Sequence, residues 1–458
     1  MDVMFRELKD KLSGEMILPQ DSNYDDARSI YNAMIDKHPG CIVKCNNRDD
    51  VVEAIQFARA KGIEVSVRGG GHNGAGLALV NDGMVIDLSL MKDIQVDPDK
   101  RTAVVQGGCL LSEVDKATHE HGLALPSGII GTTGVAGLTL GGGMGYLTRK
   151  GGLTIDRLLE AEVVLASGEV VTASETSHPD LFFAIRGGGG NFGVVTSFTF
   201  NLLPIKNVYG GPMFWPLKKA HEAMKFYDEI TKDAPNDLYG FFAFLIVPPG
   251  DPFPEHLHSK NVCGIVWCYT GPMENAEEVF KPIREFGPPI LDFVGEMPMP
   301  ALNGMFDELY PPGMQWYWKA HYVNELTDDA IRENIKHGSN IPSMHSTTHL
   351  YPIDGAVHDV EAGDTAWAKR DTRWSQVIVG VDPDPKNADK VTKWCKDYYD
   401  GLIPHTEGGG YVNFMMEEGE TRIKASYGDN YKRLQKVKVK YDPDNFFHIN
   451  QNIKPSER

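Results

Sequence analysis

Positive charge and long hydrophobic runs are scarce in this chain of 458 residues. Its 45 basic and 63 acidic side chains leave a formal net charge of −18, whereas nucleic-acid binders and polybasic membrane-surface proteins need clustered positive charge. No apolar run approaches the ~18 residues of a membrane span, and the N-terminal residues are acidic where a signal peptide needs a basic and then an apolar stretch. We therefore expect a cytoplasmic protein that acts on a small-molecule substrate, with no nucleic-acid and no membrane partner.

Cysteine is also infrequent, with six residues in the whole chain. Neither close pair is accompanied by a second Cys-x-x-Cys pair or by histidines at the spacing of a zinc site. We expect these thiols to be reduced and structural, and we expect no metal site. The six are Cys41, Cys45, Cys109, Cys263, Cys268 and Cys395.

Glycine is in excess, with 48 residues in the chain, of which 17 lie between Gly122 and Gly193. The length exceeds what one hydrophobic core supports, so two or three domains are expected. After Pro204 glycine becomes rarer and aromatic residues more frequent, which suggests a second domain. Around the glycine cluster the pattern predicts helices over 49–58 and from about Ser112, and strands near 63–67, 84–88, 103–106, 162–166, 169–173 and 194–201. Beyond Pro204 it predicts helices over 218–232, 276–286, 328–337 and 386–402, and strands over 241–247, 262–269 and 376–381. This order of elements predicts an α+β fold.

Two segments, residues 69–74 and 188–193, match Gly-x-Gly-x-x-Gly. In a nicotinamide site this motif follows a strand and opens a helix, whose N-terminus meets the pyrophosphate. The first segment leads into a turn and the second follows a helix and leads into a strand, so we reject that interpretation. Glycine loops can still bring backbone N–H groups close to a phosphate without any lysine. A third stretch, residues 126–145, has glycine at about every third position and suits an elongated ligand, although each loop alone is also compatible with a tight structural turn.

Several ordered motifs together resemble the berberine-bridge-enzyme-like FAD-linked oxidases of the vanillyl-alcohol-oxidase superfamily. They are the segments 67–72, 126–149, 151–156 and 186–195, and the C-terminal stretches 427–434, 441–443 and 450–455. The resemblance implies a PCMH-type FAD-binding domain in two parts and a substrate domain with an antiparallel sheet backed by helices. We place the FAD domain at 1–204, with its core from about 36, the substrate domain at 205–404, and a C-terminal segment that returns to the FAD domain at 405–458.

The resemblance also implies which residues bind FAD. Residues 68–73 would contact the pyrophosphate, 128–145 the ribityl chain and the ring, 190–195 the adenosine side, and Asn450 with Gln451 the ring edge. The full set is Arg68, Gly69, Gly70, Gly71, His72, Asn73, Gly76, Pro126, Gly128, Gly131, Thr132, Thr133, Gly134, Gly137, Leu138, Gly141, Gly142, Leu147, Gly190, Gly193, Val194, Val195, Asn450 and Gln451.

In relatives a histidine at the position of His72 is bonded covalently to the flavin, which implies FAD linked through His72. Many relatives have a second link from a cysteine, but Ile130 stands at that position and Cys109 lies well upstream. We therefore expect no cysteinyl link. Thr133 stands at the position that in relatives helps decide oxygen access to the flavin, where an apolar residue is usual, so the electron acceptor stays open.

Related sugar and alcohol oxidases use a tyrosine base at the end of a Tyr-x-Asn-Tyr motif, which here reads Tyr411-Val412-Asn413-Phe414. Tyr411 is therefore our candidate base, with a packed strand tyrosine as the alternative. Two further aromatic positions of those sites hold Gly74 and Met144, which predicts a roomier and more apolar cavity. Trp316, Trp318 and residues 349–351 lie on strands that resemble the sheet above the flavin, and they are equally compatible with core packing.

The resulting expectation is an FAD-linked oxidoreductase. It would transfer hydride from a C–H bond next to oxygen or nitrogen to flavin N5 and pass the electrons to dioxygen. Two alternatives stay open: a flavin dehydrogenase that uses another acceptor, and a flavin-binding protein whose catalytic site has degenerated.

Overall fold

The computed structural model describes residues 2–456, and the N-terminal part forms a sheet with strand order β1-β2-β4-β3. Strands β2, β4 and β3 are parallel and β1 is antiparallel to β2. The elements are helices α1 (Asp2–Lys9), α2 (Tyr24–Arg28) and α3 (Arg48–Lys61), and strands β1 (Glu15–Ile17), β2 (Cys41–Lys44), β3 (Val65–Arg68) and β4 (Met84–Asp87). Helix α3 begins where Asn47 accepts a hydrogen bond from Asp50 N and ends at Gly62, whose φ of 64° favours glycine.

The next part of the chain forms an antiparallel sheet with order β5-β6-β9-β7-β8. Its alternating valine, alanine and phenylalanine residues face a core that it shares with the glycine-rich segments. The strands are β5 (Ile94–Asp97), β6 (Thr102–Gln106), β7 (Leu158–Val164), β8 (Val170–Ser174) and β9 (Val194–Asn201), and the helices are α4 (Leu111–His119), α5 (Val135–Gly141), α6 (Thr148–Gly151) and α7 (Pro179–Ile185).

A large antiparallel sheet follows, with order β13-β10-β12-β11-β16-β17-β15 and β14 paired to β10. Its strands are β10 (Asn207–Pro216), β11 (Leu238–Ile246), β12 (Asn261–Tyr269), β13 (Leu291–Asp292), β14 (Gly295–Pro298), β15 (Gln315–Val323), β16 (Thr347–Pro352) and β17 (Trp374–Asp382). Its helices are α8 (Ala220–Lys232), α9 (Ala276–Glu285), α10 (Met299–Asn303), α11 (Asp328–Gly338) and α12 (Ala388–Leu402). Apolar faces of α8, α9 and α11 pack on one side of this sheet, and its other side joins the core of the glycine-rich part.

The C-terminal segment packs on the first part of the chain after α13 (Glu420–Tyr427) and α14 (Tyr431–Tyr441). Phe447 enters the core around β2 and β4, and His448 Nε2 lies 2.6 Å from Glu64 Oε1. Within residues 2–456, every helix is too short or too polar to cross a lipid bilayer.

The α+β fold with an antiparallel sheet backed by helices is confirmed, and β9 has the predicted bounds. Two local predictions are wrong. The stretch 126–145 is not loop throughout, because the apolar residues Val135, Ala136 and Leu140 bury one side of the short helix α5. Tyr411 does not lie in a strand but directly precedes a 3₁₀ turn, Val412–Phe414.

Candidate active site

A cavity of about 330 Å³ lies between the glycine-rich loops, the C-terminal segment and the face of the large sheet that is turned towards them. Many of the residues expected to bind FAD line this cavity. They are Gly69, Gly70, Gly71, His72, Asn73, Gly128, Thr133, Gly134, Gly137, Leu138, Gly190, Gly193, Val194, Val195, Asn450 and Gln451. Tyr411 lines it as well.

Other residues of the expected set lie behind the lining and support it. The Arg68 guanidinium pairs with buried Asp87, and Gly131 N donates to Asp307 Oδ1 at 2.7 Å. Thr132 contacts the ring of His72, and Leu147 is buried in the core. The remaining members pack against neighbouring protein groups: Gly76 against Ile35, Pro126 against Thr154, Gly141 against Asn413 and Gly142 against Trp367.

Two glycine loops meet directly at the cavity wall. A Cβ atom on Gly70 would lie 2.3 Å from Gly134 N, and one on Gly134 would lie 2.2 Å from Gly70 N, so neither position has room for a side chain. The second loop is fixed to α4, since Leu111 N donates to Thr133 O and Ser112 N donates to Gly131 O. The sequence therefore forms a rigid wall made largely of backbone.

His72 is half-buried where these loops meet. Its Nε2 lies 3.0 Å from the Thr132 hydroxyl and its Nδ1 lies 3.3 Å from the Thr133 hydroxyl. Burial lowers the pKa of His72 to about 3, against a small opposing effect of Thr132, so the ring is neutral at physiological pH. A neutral, oriented imidazole has a nitrogen lone pair available for bonding.

The N-terminal segment contributes contacts that the sequence did not indicate. Tyr31 stacks on His72 with ring centroids 3.8 Å apart and on Trp316 at 4.8 Å. The Asn32 side chain donates to Gly74 O and Trp316 O and accepts from Trp316 N. Tyr31 and Asn32 therefore join the loop that contains His72 to the large sheet. Nothing in the sequence around them predicts that they lie at the cavity.

The large sheet supplies the opposite wall through Trp316, Trp318, Thr347, His349 and Tyr351. The two tryptophans share a face, as alternation along β15 predicts. The sequence predicted a roomier cavity beside Gly74, and this is wrong because the Trp318 ring fills that space. A Cβ atom on Gly74 would lie 2.8 Å from Trp318 Cε3. Met144 also lines the cavity.

Tyr411 is fully buried at the junction of α5 and the C-terminal segment. Its hydroxyl oxygen accepts hydrogen bonds from Gly143 N at 2.8 Å and Asn413 Nδ2 at 2.7 Å. Burial raises the pKa of Tyr411, and the two donors oppose that rise by stabilising the phenolate. Its ring packs between Trp367 and Phe414.

The chemistry of the cavity lining suits a flavin dinucleotide. Backbone amides of the glycine loops can approach a pyrophosphate, because Gly69, Gly71 and Gly190 line the cavity without a side chain in between. At the end formed by residues 189–195 and 447–451, Asn450 Oδ1 and the Tyr427 hydroxyl are buried without a protein hydrogen-bond partner among the described residues, so they can meet polar groups of a ligand. Cys109 Sγ points to the carbonyl oxygens of Met91 and Asp93.

Comparison with known proteins identifies this arrangement. Residues 39–174 match the family model described as FAD binding domain, and residues 410–454 match the model described as berberine and berberine like. An uncharacterized FAD-linked oxidoreductase of Bacillus subtilis, YgaK, is 31% identical over 98% of this chain and 99% of its own length. The (R)-6-hydroxynicotine oxidase of Paenarthrobacter nicotinovorans is 29% identical over 97% of each chain.

The solved structure of Physcomitrella patens BBE-like 1 matches with a TM-score of 0.87 and 25% identity, over 99% of this chain and 100% of the other. Fold, family models and full-length relatives agree, so the protein is an oxidoreductase. The chain belongs to the berberine-bridge-enzyme-like family of FAD-linked oxidoreductases.

Proposed function

We propose that FAD is bound covalently through His72. In this proposal the enzyme removes hydride from a C–H bond next to oxygen or nitrogen of a small organic substrate and passes the electrons to dioxygen. The observation that carries this proposal is the position of His72 in the cavity wall, held by Thr132 and Thr133 and covered by the Tyr31 ring. Bound FAD supplies the two-electron acceptor.

The residues of the chain hold and orient the reactants. The glycine loops, with Val194, Val195, Asn450 and Gln451, bind the cofactor, while the sheet residues Trp316 and Trp318 hold the substrate against it. Fixing both partners in one cavity turns a bimolecular reaction into an effectively unimolecular one. Tyr411 is the base suggested by the sequence, but burial keeps its hydroxyl protonated at neutral pH although Gly143 N and Asn413 Nδ2 donate to it.

Acid denaturation tests the covalent bond. We expect the yellow chromophore to precipitate with the wild-type protein and to fluoresce with the denatured band on a gel. His72→Ala removes the attachment point, so its flavin should be released into the supernatant. The matched control is His121→Ala, at an exposed histidine outside the cavity, which should keep the label. Complete release of flavin from the wild-type protein would contradict the proposed bond.

Reoxidation tests the electron acceptor. The enzyme is first reduced by dithionite without air and then mixed with air-saturated buffer in a stopped-flow instrument. We expect the flavin absorbance to return within seconds for an oxidase. Slow reoxidation by dioxygen together with rapid reoxidation by a quinone would identify a dehydrogenase.

A further inference from the structure

The sheet wall of the cavity carries a polar pair, His349 and Tyr351, next to Thr347, whose hydroxyl donates to Phe244 O. Side chains alternate along β16, so His349 and Tyr351 point to the same face, and both line the cavity. In the ladder His349 lies opposite Val377 on one side and Ala243 on the other. These neighbours offer no hydrogen-bonding side chain, so a polar group of a substrate near this point meets the pair itself.

His349 and Tyr351 hold each other in place. His349 Nδ1 lies 2.8 Å from the Tyr351 hydroxyl, and the Phe241 ring packs against both side chains. Among the residues that the structure describes, His349 Nε2 has no hydrogen-bond partner. When Nδ1–H donates to the Tyr351 oxygen, Nε2 keeps a lone pair that can accept a proton from a ligand.

The surroundings of His349 on the sheet wall keep its ring neutral and disfavour a charged substrate there. Burial lowers the pKa of His349 to about 3, so Nε2 is unprotonated at neutral pH. No Asp, Glu, Lys or Arg occurs among the described residues that line the cavity. Its titratable side chains are His72, His349, Tyr31, Tyr310, Tyr351, Tyr411 and Tyr427. A charged substrate on the sheet wall would therefore lose its hydration without meeting an oppositely charged side chain, which is costly.

Aromatic rings surround the polar pair in the cavity. Trp316, Trp318 and Phe414 line the cavity next to the polar pair, and the Trp318 ring lies edge-on to both others. The indole N–H groups of Trp316 and Trp318 are buried and have no protein acceptor within residues 2–456. Flat rings and free N–H donors suit an uncharged aromatic molecule that carries oxygen acceptors.

Tyr411 differs from His349 in its hydrogen bonding. The Tyr411 oxygen already accepts two hydrogen bonds, from Gly143 N and Asn413 Nδ2. Burial raises the pKa of Tyr411, whereas it lowers that of His349, so at neutral pH only the histidine is in its proton-accepting form. The geometry and the protonation state therefore favour His349 as the group that meets a substrate hydroxyl.

We propose that His349 Nε2 is the proton acceptor of the reaction, that Tyr351 is the positioning residue that orients its ring, and that the substrate is an uncharged aromatic alcohol. This proposal rests on the proposed FAD-linked oxidation. The carbinol C–H bond breaks and its two electrons leave with the hydrogen as hydride to the flavin. The O–H bond breaks and its proton passes to Nε2, while the second C–O bond forms the carbonyl product.

The substrate class is tested with probes of one size and different charge. The flavin-containing wild-type protein is mixed without air with 4-methoxybenzyl alcohol, with the anionic 4-carboxybenzyl alcohol or with the cationic 4-(aminomethyl)benzyl alcohol. We expect the uncharged probe to bleach the flavin at least tenfold faster than either charged probe. Equal or faster bleaching by a charged probe, or no bleaching by the uncharged one, would overturn the assigned class.

The base is tested by His349→Gln, which keeps a polar side chain but removes the imidazole nitrogen that accepts the proton. We expect kcat/KM for 4-methoxybenzyl alcohol to fall by about 100-fold or more, as expected for loss of general base catalysis. The Kd of the probe, measured from the change in flavin absorbance, should change less than threefold. Imidazole added to the buffer should restore part of the rate. A loss below fivefold, or a larger loss in Tyr411→Phe, would overturn the assignment.

A matched control and a pH profile separate catalysis from structure. His321 is a buried histidine on β15 that stacks on Tyr399 outside the cavity, so His321→Gln should retain the wild-type rate per bound flavin. Tyr351→Phe should lower kcat with little change in Kd, because it frees the ring of His349. For the wild-type enzyme kcat/KM should be flat between about pH 5 and 8, since His349 is neutral throughout. A tenfold rise per pH unit would instead indicate a phenol base and overturn the proposal.

The proposed function and this inference can fail separately. If acid denaturation releases all the flavin, or dioxygen fails to reoxidise the reduced enzyme, the proposed function fails. If the flavin stays attached and is reoxidised by air, but His349→Gln reacts like the wild type, only the inference fails.

Discussion

At the scale of single residues, buried Asp115 gives the clearest test of stability. Asn303 Nδ2 donates to its carboxylate at 2.9 Å. Burial raises the pKa of Asp115 to about 7, against the hydrogen bond of Asn303 and with a smaller repulsion from Asp307. The folded state therefore holds a proton more tightly than the unfolded chain, where the pKa is 3.8. The free energy of unfolding should therefore fall by at most about 4 kcal/mol as the pH rises from about 4 to 7, and it should stay at this lower value above pH 7.

Asp115→Asn removes this cost without changing the size of the side chain. We expect the variant to melt at a higher temperature than the wild type at pH 8 and at nearly the same temperature at pH 4.5, as measured by thermal unfolding. Asp359→Asn changes an exposed aspartate and serves as the control, with no such pH-dependent gain. A gain in Tm of equal size at both pH values would argue against a buried charged carboxylate.

Residue identity predicted one wall of the cavity better than the other. The glycine loops and His72 could be identified because each motif is continuous in sequence and needs its residues for a backbone reason. Tyr31 and the filling of the space at Gly74 by Trp318 could not, because they depend on contacts between segments about 40 to 285 residues apart. No local pattern encodes such a meeting.

At the scale of elements, buried Lys438 connects α14 to the glycine loop at Asn191 and to the C-terminal segment at Phe447. Its ammonium donates to Asn191 O and Asp442 Oδ2 at 2.6 Å and to Phe447 O at 2.9 Å, and both charged side chains are fully buried. Burial lowers the pKa of Lys438, and the contact with Asp442 opposes that shift. Because all three hydrogens are used, the lysine fixes the helix, the loop at Asn191 and the C-terminal segment together.

Lys438→Met should destabilise the protein by about 3–5 kcal/mol, because it leaves Asp442 buried without a counter-charge. Denaturant unfolding measures this loss. Lys440→Met removes an exposed pair with Asp180 and should cost less than about 1 kcal/mol. Combining Lys438→Met with Asp442→Asn, which removes the charge and keeps an acceptor for the backbone N–H groups of Phe446 and Phe447, should recover part of the stability. If the double variant is no better than the single one, the unpaired charge is not the cause.

Elements with a regular apolar period could be predicted within a few residues. β9 has the bounds that its alternating residues indicated, and α8 and α11 were displaced by two residues or fewer. Helix α5 was missed because glycine interrupts the helical pattern and its stability comes from burial of Val135 and Ala136 in the core. The turn after Tyr411 was mistaken for a strand. Three of the four residues 411–414 are apolar, and so short a run has neither a helical nor a strand period that could identify its structure.

At the scale of the whole molecule, the order of glycine-rich and aromatic-rich stretches indicated two parts, but not what joins them. The structure shows buried ion pairs across that junction. Arg149 lies 2.7 Å from Asp354 and donates to Leu238 O, which links α6 to the large sheet. Arg370 forms two hydrogen bonds of 2.8 Å with Asp156. Charged residues at such spacing look like solvated surface in the sequence, so their burial could not be predicted.

The pair of Arg370 and Asp156 should make the two parts unfold together. Both side chains are about 5% exposed, with Arg370 at 4% and Asp156 at 6%, and Arg370 Nη2 also donates to Thr365 Oγ1. Arg370→Leu leaves Asp156 buried without its ion-pair partner, which should cost about 3–5 kcal/mol at this junction. We therefore expect calorimetry to show one unfolding transition for the wild-type protein and two for the variant.

Arg373→Leu provides the matched control, because Arg373 pairs with Asp228 and stacks on Trp374 within the large-sheet part. Its loss should lower the melting temperature while the single transition remains. The covalent flavin expected at His72 then reports which part unfolds first, since its absorbance changes only when the glycine-loop wall opens. Two transitions in both variants, or in neither, would show that the ion pair across the junction does not couple the two parts of the molecule.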